Sequence, residues 1–191
     1  LEAQLAATNA NFAMRDSLLL VVGGYGLSAG SVHITHPMLT AINVPAMMNQ
    51  IITQGQISAS TTQSITDEDF AVTGGKLLQL DTTFLLIGGQ RFDGQYNPMG
   101  HNTYVQEYTN AIRRFSVSGT FPNLSVQHYT AIVDTAELHR RDYNVTYMTD
   151  GSNLDINAWS GVVQYGADLP FLHPVEIATS TATPVTSFSQ Y

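Results

Sequence analysis

The segment 90–102 combines side chains that could grip a sugar. Arg91, Tyr96 and His101 place a guanidinium, an aromatic ring and an imidazole within one stretch that also contains glycine and proline. Aromatic rings offer a broad apolar surface, and planar nitrogen groups hydrogen-bond to polar partners. The segment therefore predicts an irregular loop that could bind a glycan, although packing on the neighbouring unit is the favoured interpretation. In that interpretation the loop packs through Tyr96 and Pro98.

A second candidate site is the basic pair Arg140 and Arg141, which His139 and Asp142 flank. Arginine forms bidentate, charge-assisted hydrogen bonds with carboxylates. The structural interpretation is that these arginines tie neighbouring units together through carboxylates. The functional interpretation is a binding site for an anion or an acidic sugar, and the sequence leaves both open.

Two further groups resemble metal ligands, but we predict no metal site and no cofactor. His33 and His36 lie three apart beside Pro37, where a helix is disfavoured, and residues three apart on a strand face opposite sides. The acidic run 67–69 lacks the spaced oxygen ligands and the glycine of a calcium loop, so a solvated turn is the simpler interpretation. The run 150–155 is explained as a hairpin turn.

The sequence gives little support for catalysis. It contains no cysteine, which excludes thiolate chemistry and disulfides, and it has no G-x-S-x-G nucleophile motif. Whether the protein is an enzyme stays open, and a non-enzymatic role is favoured.

The composition excludes some partners. Charged residues are 12% of the chain and the formal net charge is −8, so nucleic acid phosphates would be repelled. The longest apolar run, 18–22, is too short to span a membrane. A surface of Thr, Ser, Asn and Gln is typical of an extracellular β-protein.

Glycine pairs at the ends of apolar runs indicate an internal repeat. The run 18–22 ends on one pair, 84–87 ends on another, and a weaker copy surrounds residue 161. We expect glycine there because the chain turns sharply beside another backbone, which requires positive φ and no Cβ. The structural glycines predicted in this way, with one extra pair, are Gly23, Gly24, Gly74, Gly75, Gly88, Gly89 and Gly161.

Each repeat is predicted to contain four antiparallel strands. The units are approximately 1–66, 67–133 and 134–191 of a single domain. The predicted first strands are 9–14, 69–73 and 143–148, the third strands are 39–44, 110–117 and 173–178, and the fourth strands are 56–66, 124–133 and 185–190. Four strands per repeat are typical of a β-propeller blade. Residues 45–52 form the one helix-like insertion.

Several sequence segments resemble the kelch repeat, and in particular the kelch-like β-propellers exported by Bacteroidetes-type bacteria. They are 5–9, 21–26, 33–37, 70–75, 94–100 and 138–144, which together sample nearly the whole chain. The resemblance implies an all-β, kelch-like β-propeller of about three four-stranded blades, exported by type IX secretion. Propellers close with roughly 4–8 blades, so we expect a partial chain of a longer protein.

These observations predict an extracellular or cell-surface structural and binding module within a larger assembly. Its expected partner is a protein or a second copy, because open sheet faces and edges are association sites. The alternative is a carbohydrate-binding or carbohydrate-active propeller. Neither alternative involves nucleic acid or membrane insertion.

Overall fold

The structure, a computed structural model, describes residues 1–55, 57–99, 103–151 and 153–190. Within these residues the protein is all-β, with three four-stranded and two two-stranded antiparallel sheets. In chain order the elements are α1 (Glu2–Leu5), β1 (Asn11–Arg15), β2 (Leu18–Val22), β3 (Tyr25–Leu27), β4 (His33–Thr35), β5 (Pro37–Asn43), α2 (Val44–Gln54), β6 (Thr62–Ala71), β7 (Lys76–Leu80), β8 (Thr83–Ile87), β9 (Gln90–Gly94), β10 (Tyr104–Tyr108), β11 (Ala111–Thr120), β12 (Asn123–Val133), β13 (Arg141–Asp150), β14 (Asn153–Val162), β15 (Val175–Ile177) and β16 (Ala182–Pro184).

The three larger sheets repeat one strand order. Sheet I is β1-β2-β5-β6, sheet II is β7-β8-β11-β12, and sheet III is β13-β14-β15-β16. In each sheet the second and third strands are joined by an insertion. These insertions are the β3–β4 hairpin, the β9–β10 ribbon and the connection 163–174. The repeat predicted from the glycine pairs is therefore present as three sheets of the same topology.

The sheets stack face to face, and sheet II is the middle layer. In β8, Phe84 and Leu86 join the core shared with sheet I, whereas Leu85 and Ile87 join the core shared with sheet III. All four side chains are at most 1% exposed. Because successive side chains of a strand point to opposite faces, a segment buried on both faces must be apolar at every position, as residues 84–87 are.

The glycine pairs lie where the second strand of a sheet ends in close contact with the backbone or a side chain of the next part of the chain. Gly23 has φ +67°, and a Cβ there would lie 1.9 Å from the carbonyl oxygen of Val72, in the connection between sheets I and II. At Gly88 (φ +55°) a Cβ would lie 2.6 Å from the hydroxyl of Tyr143. Tyr143 is buried and donates to the carbonyl of Ile87 at 2.6 Å, which ties sheet III to sheet II. The same burial raises the pKa of Tyr143.

Several predicted strand positions are wrong. The segment 69–71 completes β6 of sheet I, and the first strand of sheet II begins at Lys76 because Gly74 and Gly75 separate the two. The expected unit boundary at 66/67 therefore falls inside β6. The fourth strand of sheet I begins at Thr62, since α2 and a 3₁₀ turn fill the preceding residues. In sheet III the fourth strand is β16, which lies before the predicted 185–190.

The predicted helical insertion is confirmed as α2. The Asn43 side chain caps its first turn by accepting from the Ala46 amide at 3.1 Å, Pro45 lies in that turn, and Gly55 ends it in the left-handed conformation. Among the described residues, neither helix has the length and hydrophobicity needed to cross a membrane.

Candidate functional site

The first two insertions are joined to one another at the glycine-pair end of the sheets. The Thr35 hydroxyl donates to the carbonyl of Phe92 at 2.8 Å and accepts from the Phe92 amide at 2.7 Å. The Thr35 amide also donates to the Asp93 carboxylate at 2.9 Å. These bonds fix the β9–β10 ribbon against the β3–β4 hairpin, so side chains of sheets I and II meet across a rigid junction.

An aromatic cluster lies on this junction. Phe92 stacks on Tyr104 with ring centroids 4.5 Å apart, and it meets the edge of Tyr25 at 5.0 Å and Tyr96 at 5.9 Å. The Tyr25 hydroxyl donates to the carbonyl of Gly94 at 2.7 Å and accepts from the Tyr96 amide at 3.2 Å. The Tyr96 ring is held in this way but remains 59% exposed.

A cleft of about 400 Å³ opens beside this cluster. Its described lining comprises Thr8, Asn9, Tyr25, Thr73, Gln90, Phe92, Tyr96, Gln106 and Arg141. A second cavity of about 180 Å³ shares Asn9, Gln90 and Arg141 with it. The two cavities therefore meet along these three side chains, and two residues predicted from the sequence, Tyr96 and Arg141, come together here.

The segment 90–102 is not the irregular loop predicted. Residues 90–94 form β9, which pairs with β10 from Tyr104↔Gly94 to Tyr108↔Gln90. Arg91 is not among the described residues that line the larger cleft. Its guanidinium forms ion pairs with Glu68 at 2.7 Å and Asp93 at 2.6 Å instead. Its pKa is raised, chiefly by the hydrogen bond to Asp93. His101 lies outside the described residues.

Arg140 and Arg141 have separate environments. Arg140 is 2% exposed and donates to the carbonyls of Glu137, Ser160 and His173 at 2.6–3.0 Å. It also pairs with the Glu137 carboxylate at 3.0 Å and covers the Phe171 ring at 4.0 Å. Burial lowers its pKa, against the opposing effect of Glu137.

Every one of these partners belongs to the third repeat, so the prediction that Arg140 ties neighbouring units is wrong. The Arg140 guanidinium instead joins the turn before β13 to the rest of the third repeat through hydrogen bonds. Arg141 is half exposed at the cleft, with Nε 3.3 Å from the Asp142 carboxylate.

Asp67, Asp69 and His128 form a cluster between the outer strands of sheets I and II. His128 Nε2 lies 3.0 Å from Asp67, whereas Nδ1 lies 3.6 Å from Asp69. Different ring nitrogens thus face the two carboxylates, so the imidazole bridges Asp67 and Asp69. Arg113, which donates to the Asp69 carbonyl at 2.7 Å, adds a neighbouring positive charge. The predicted solvated turn is a strand here, since 67–69 lie within β6.

A different kind of surface is the outer face of sheet I, directed away from sheet II. Ala13 packs into the core between these sheets, so its neighbours Phe12 and Met14 point outward. Phe12 is 69% exposed and Met14 is 52% exposed. They pair with Val21 and Leu19, whose side chains share this face. The solvent-exposed apolar surface on β1–β2 therefore centres on Phe12 and Met14, since Val21 is only 9% exposed.

The rest of this outer face is covered by α1. Gln4 is 1% exposed, accepts from the Thr40 hydroxyl at 2.6 Å and donates to the Met38 carbonyl at 2.8 Å. A groove of about 610 Å³ follows between the two helices, lined mainly by apolar side chains that include Leu5, Met47 and Ile57.

The outer face of sheet III mixes polar and apolar side chains, since Asn144 and Thr146 share it with Met148 and Trp159. Val145 packs into the core with sheet II, so Asn144 and Thr146 point outward. Trp159 lies on this face and donates from Nε1 to the Thr146 hydroxyl at 2.9 Å. The two ends of the sheet stack therefore differ in chemistry.

Sequence reasoning missed several of these residues. Tyr25 and Gln90 both directly follow a glycine pair, so aligning the repeats would have placed them at the same end of their sheets. His128 lies 61 residues from Asp67, and nothing local to either residue indicates the contact. Comparison of the chain with protein-family models and with curated proteins finds no match.

Proposed function

We propose that the protein is a kelch-like β-propeller segment of three blades that acts as a structural and binding module outside the cell. The observation that carries this proposal is the asymmetry of the stack: sheet II is buried on both faces, whereas sheet I presents Phe12 and Met14 to solvent. Apolar sheet faces of this kind are association sites. The low content of charged residues and the absence of cysteine suit an exported bacterial protein.

The occupant of the open face is a second copy of the chain. A head-to-tail stack of copies would bury the exposed amide of Asn144, on the outer face of sheet III, against the apolar face of sheet I. Polar groups buried without partners destabilise an interface. A two-fold contact instead brings Phe12 and Met14 of both copies together, and two-fold dimers are the commonest symmetric assembly.

The test is the mass of the protein in solution, measured by light scattering over a dilution series. We expect twice the 20.8 kDa of the chain at high concentration. Phe12→Asp places a charge in the apolar contact and should give a monomer with an unchanged circular dichroism spectrum. Val105→Asp is the matched control, because Val105 is 62% exposed on the β9–β10 ribbon, away from this face. A wild-type monomer at every concentration would overturn the proposal.

A further inference from the structure

The larger cleft has one charged side chain among the residues described around it. That residue is Arg141, in a protein of net charge −8. It makes a long contact of 3.3 Å from Nε to Asp142 and also interacts with the Tyr108 hydroxyl, but a guanidinium has five N–H donors in a planar fork. The half-exposed side chain therefore retains donors that can pair with a carboxylate in the bidentate geometry that arginine prefers.

The other polar lining residues are uncharged. Gln106 donates to the side-chain oxygen of Gln90, which orients both amide groups, and Asn9 and Thr73 lie beside them. Amides and hydroxyls both donate and accept hydrogen bonds, so this lining suits a ligand that carries several hydroxyl groups. The volume of about 400 Å³ lies within the usual range for small-molecule sites.

Tyr96 supplies a platform whose position is set before any ligand arrives. Its amide is bonded to the Tyr25 hydroxyl, and its ring packs against Phe92 and Tyr104 with centroids within 6 Å. A preorganised aromatic ring loses little conformational entropy on binding. With 59% of the residue exposed, an apolar ring face remains available at the cleft.

We propose that this cleft binds an acidic oligosaccharide, with a uronate carboxylate on Arg141 and a sugar ring on Tyr96. This inference goes beyond the proposed assembly function and does not depend on it. An acidic peptide fits less well, because it offers a carboxylate to Arg141 but no array of hydroxyl groups to the amide and hydroxyl lining. Arg140 does not contact the ligand in this proposal, because its guanidinium is buried and donates to carbonyls of the third repeat.

Calorimetric titration with trigalacturonate and with its fully methyl-esterified form tests the proposal. Esterification removes the carboxylate charges and adds one methyl group to each carboxyl, so the Arg141→Gln variant is needed to separate charge from size. We expect the free acid to bind at least about tenfold more tightly, the value of one charge-assisted hydrogen bond. Arg141→Gln should remove this difference, and Tyr96→Ala should weaken both ligands severalfold.

Arg91→Gln is the matched control, because it removes one guanidinium from the β9–β10 ribbon without changing a residue that lines the cleft. It should bind like the wild type. Melting curves of each variant establish that it is folded. Equal affinity for acid and ester, no binding of either, or unchanged discrimination in Arg141→Gln would each overturn the proposal. Binding of a glutamate-rich peptide in place of the saccharide would overturn it as well.

Discussion

Gly23→Ala is the substitution whose effect follows most directly from the stacking of sheets I and II. Gly23 has φ +67°, and a left-handed conformation costs a residue with a Cβ about 1–2 kcal/mol. The added methyl carbon would also lie 1.9 Å from the carbonyl oxygen of Val72. That oxygen accepts hydrogen bonds from the Gly24 amide and from Asn11 Nδ2, each at 3.0 Å.

The oxygen must move by about 1 Å to relieve the contact, since Cβ atoms essentially never approach a neighbour within 3.0 Å. Losing or weakening both hydrogen bonds adds about 2 kcal/mol, at about 1 kcal/mol each. Together with the backbone strain, Gly23→Ala should lower the free energy of unfolding by about 3–4 kcal/mol.

Gly74→Ala is the control that separates strain from contact. Gly74 has nearly the same φ, +68°, but no atom lies within 4 Å of the position its Cβ would take. Gly74→Ala should therefore be destabilised by the backbone strain only, by about 1–2 kcal/mol. The difference of about 2 kcal/mol corresponds to a melting temperature roughly 4–8 °C lower for Gly23→Ala in a chain of this size. Equal melting temperatures for the two variants would refute the close approach of Val72 to the first glycine pair.

Three further predictions concern charged and titratable groups. Arg140→Met should lower the free energy of unfolding by about 3–5 kcal/mol, because the Glu137 carboxylate and the carbonyls that Arg140 binds lose their buried donor. Arg141→Gln, at a half-exposed site, should have the melting temperature of the wild type. A lower melting temperature for Arg141→Gln than for Arg140→Met would contradict these two assignments. His128→Ala should change the free energy of unfolding by less than about 1 kcal/mol, because the partners of His128 are exposed carboxylates. A larger loss in urea denaturation would contradict this and would mean that the cluster is a principal contact between sheets I and II. Burial and then the N-terminal amine lower the pKa of His36 in the folded protein. As the pH falls below about 6.5, His36 therefore takes up a proton first in the unfolded chain, and the free energy of unfolding declines by up to about 1.4 kcal/mol per pH unit. His36→Gln should flatten the decline in melting temperature between neutral and mildly acidic pH, and an unchanged slope would contradict this assignment.

The features that the sequence predicted well depend on local pattern. The run Phe84–Ile87 is apolar at every position, and such a run between turn residues predicts a strand buried on both faces. The glycine pairs were predictable for the same reason, since positive φ and close backbone approach leave few alternatives to glycine. These two signals place the second strand of sheets I and II, whereas they do not place the first strand of sheet II or the fourth strand of sheet III.

The ribbon and the cleft were not predictable from local pattern. Residues 90–94 have neither a clear alternation nor strong β-branched content, and they form a strand because β10 and Thr35 supply hydrogen-bond partners. The cleft combines Asn9, Gln90 and Arg141, which three different repeats contribute. Contacts of this range depend on how the sheets stack, so residue types alone cannot assign them.

Hydroxyl-radical footprinting of the side chains on the outer face of sheet I tests the assembly most directly. Oxidation of Phe12 and Met14 would be followed by mass spectrometry in dilute and in concentrated protein. We expect both residues to become protected at high concentration, whereas Met99, which is 93% exposed elsewhere, stays equally reactive. Undiminished oxidation of Phe12 and Met14 at every concentration would contradict the claim that this face docks a second copy.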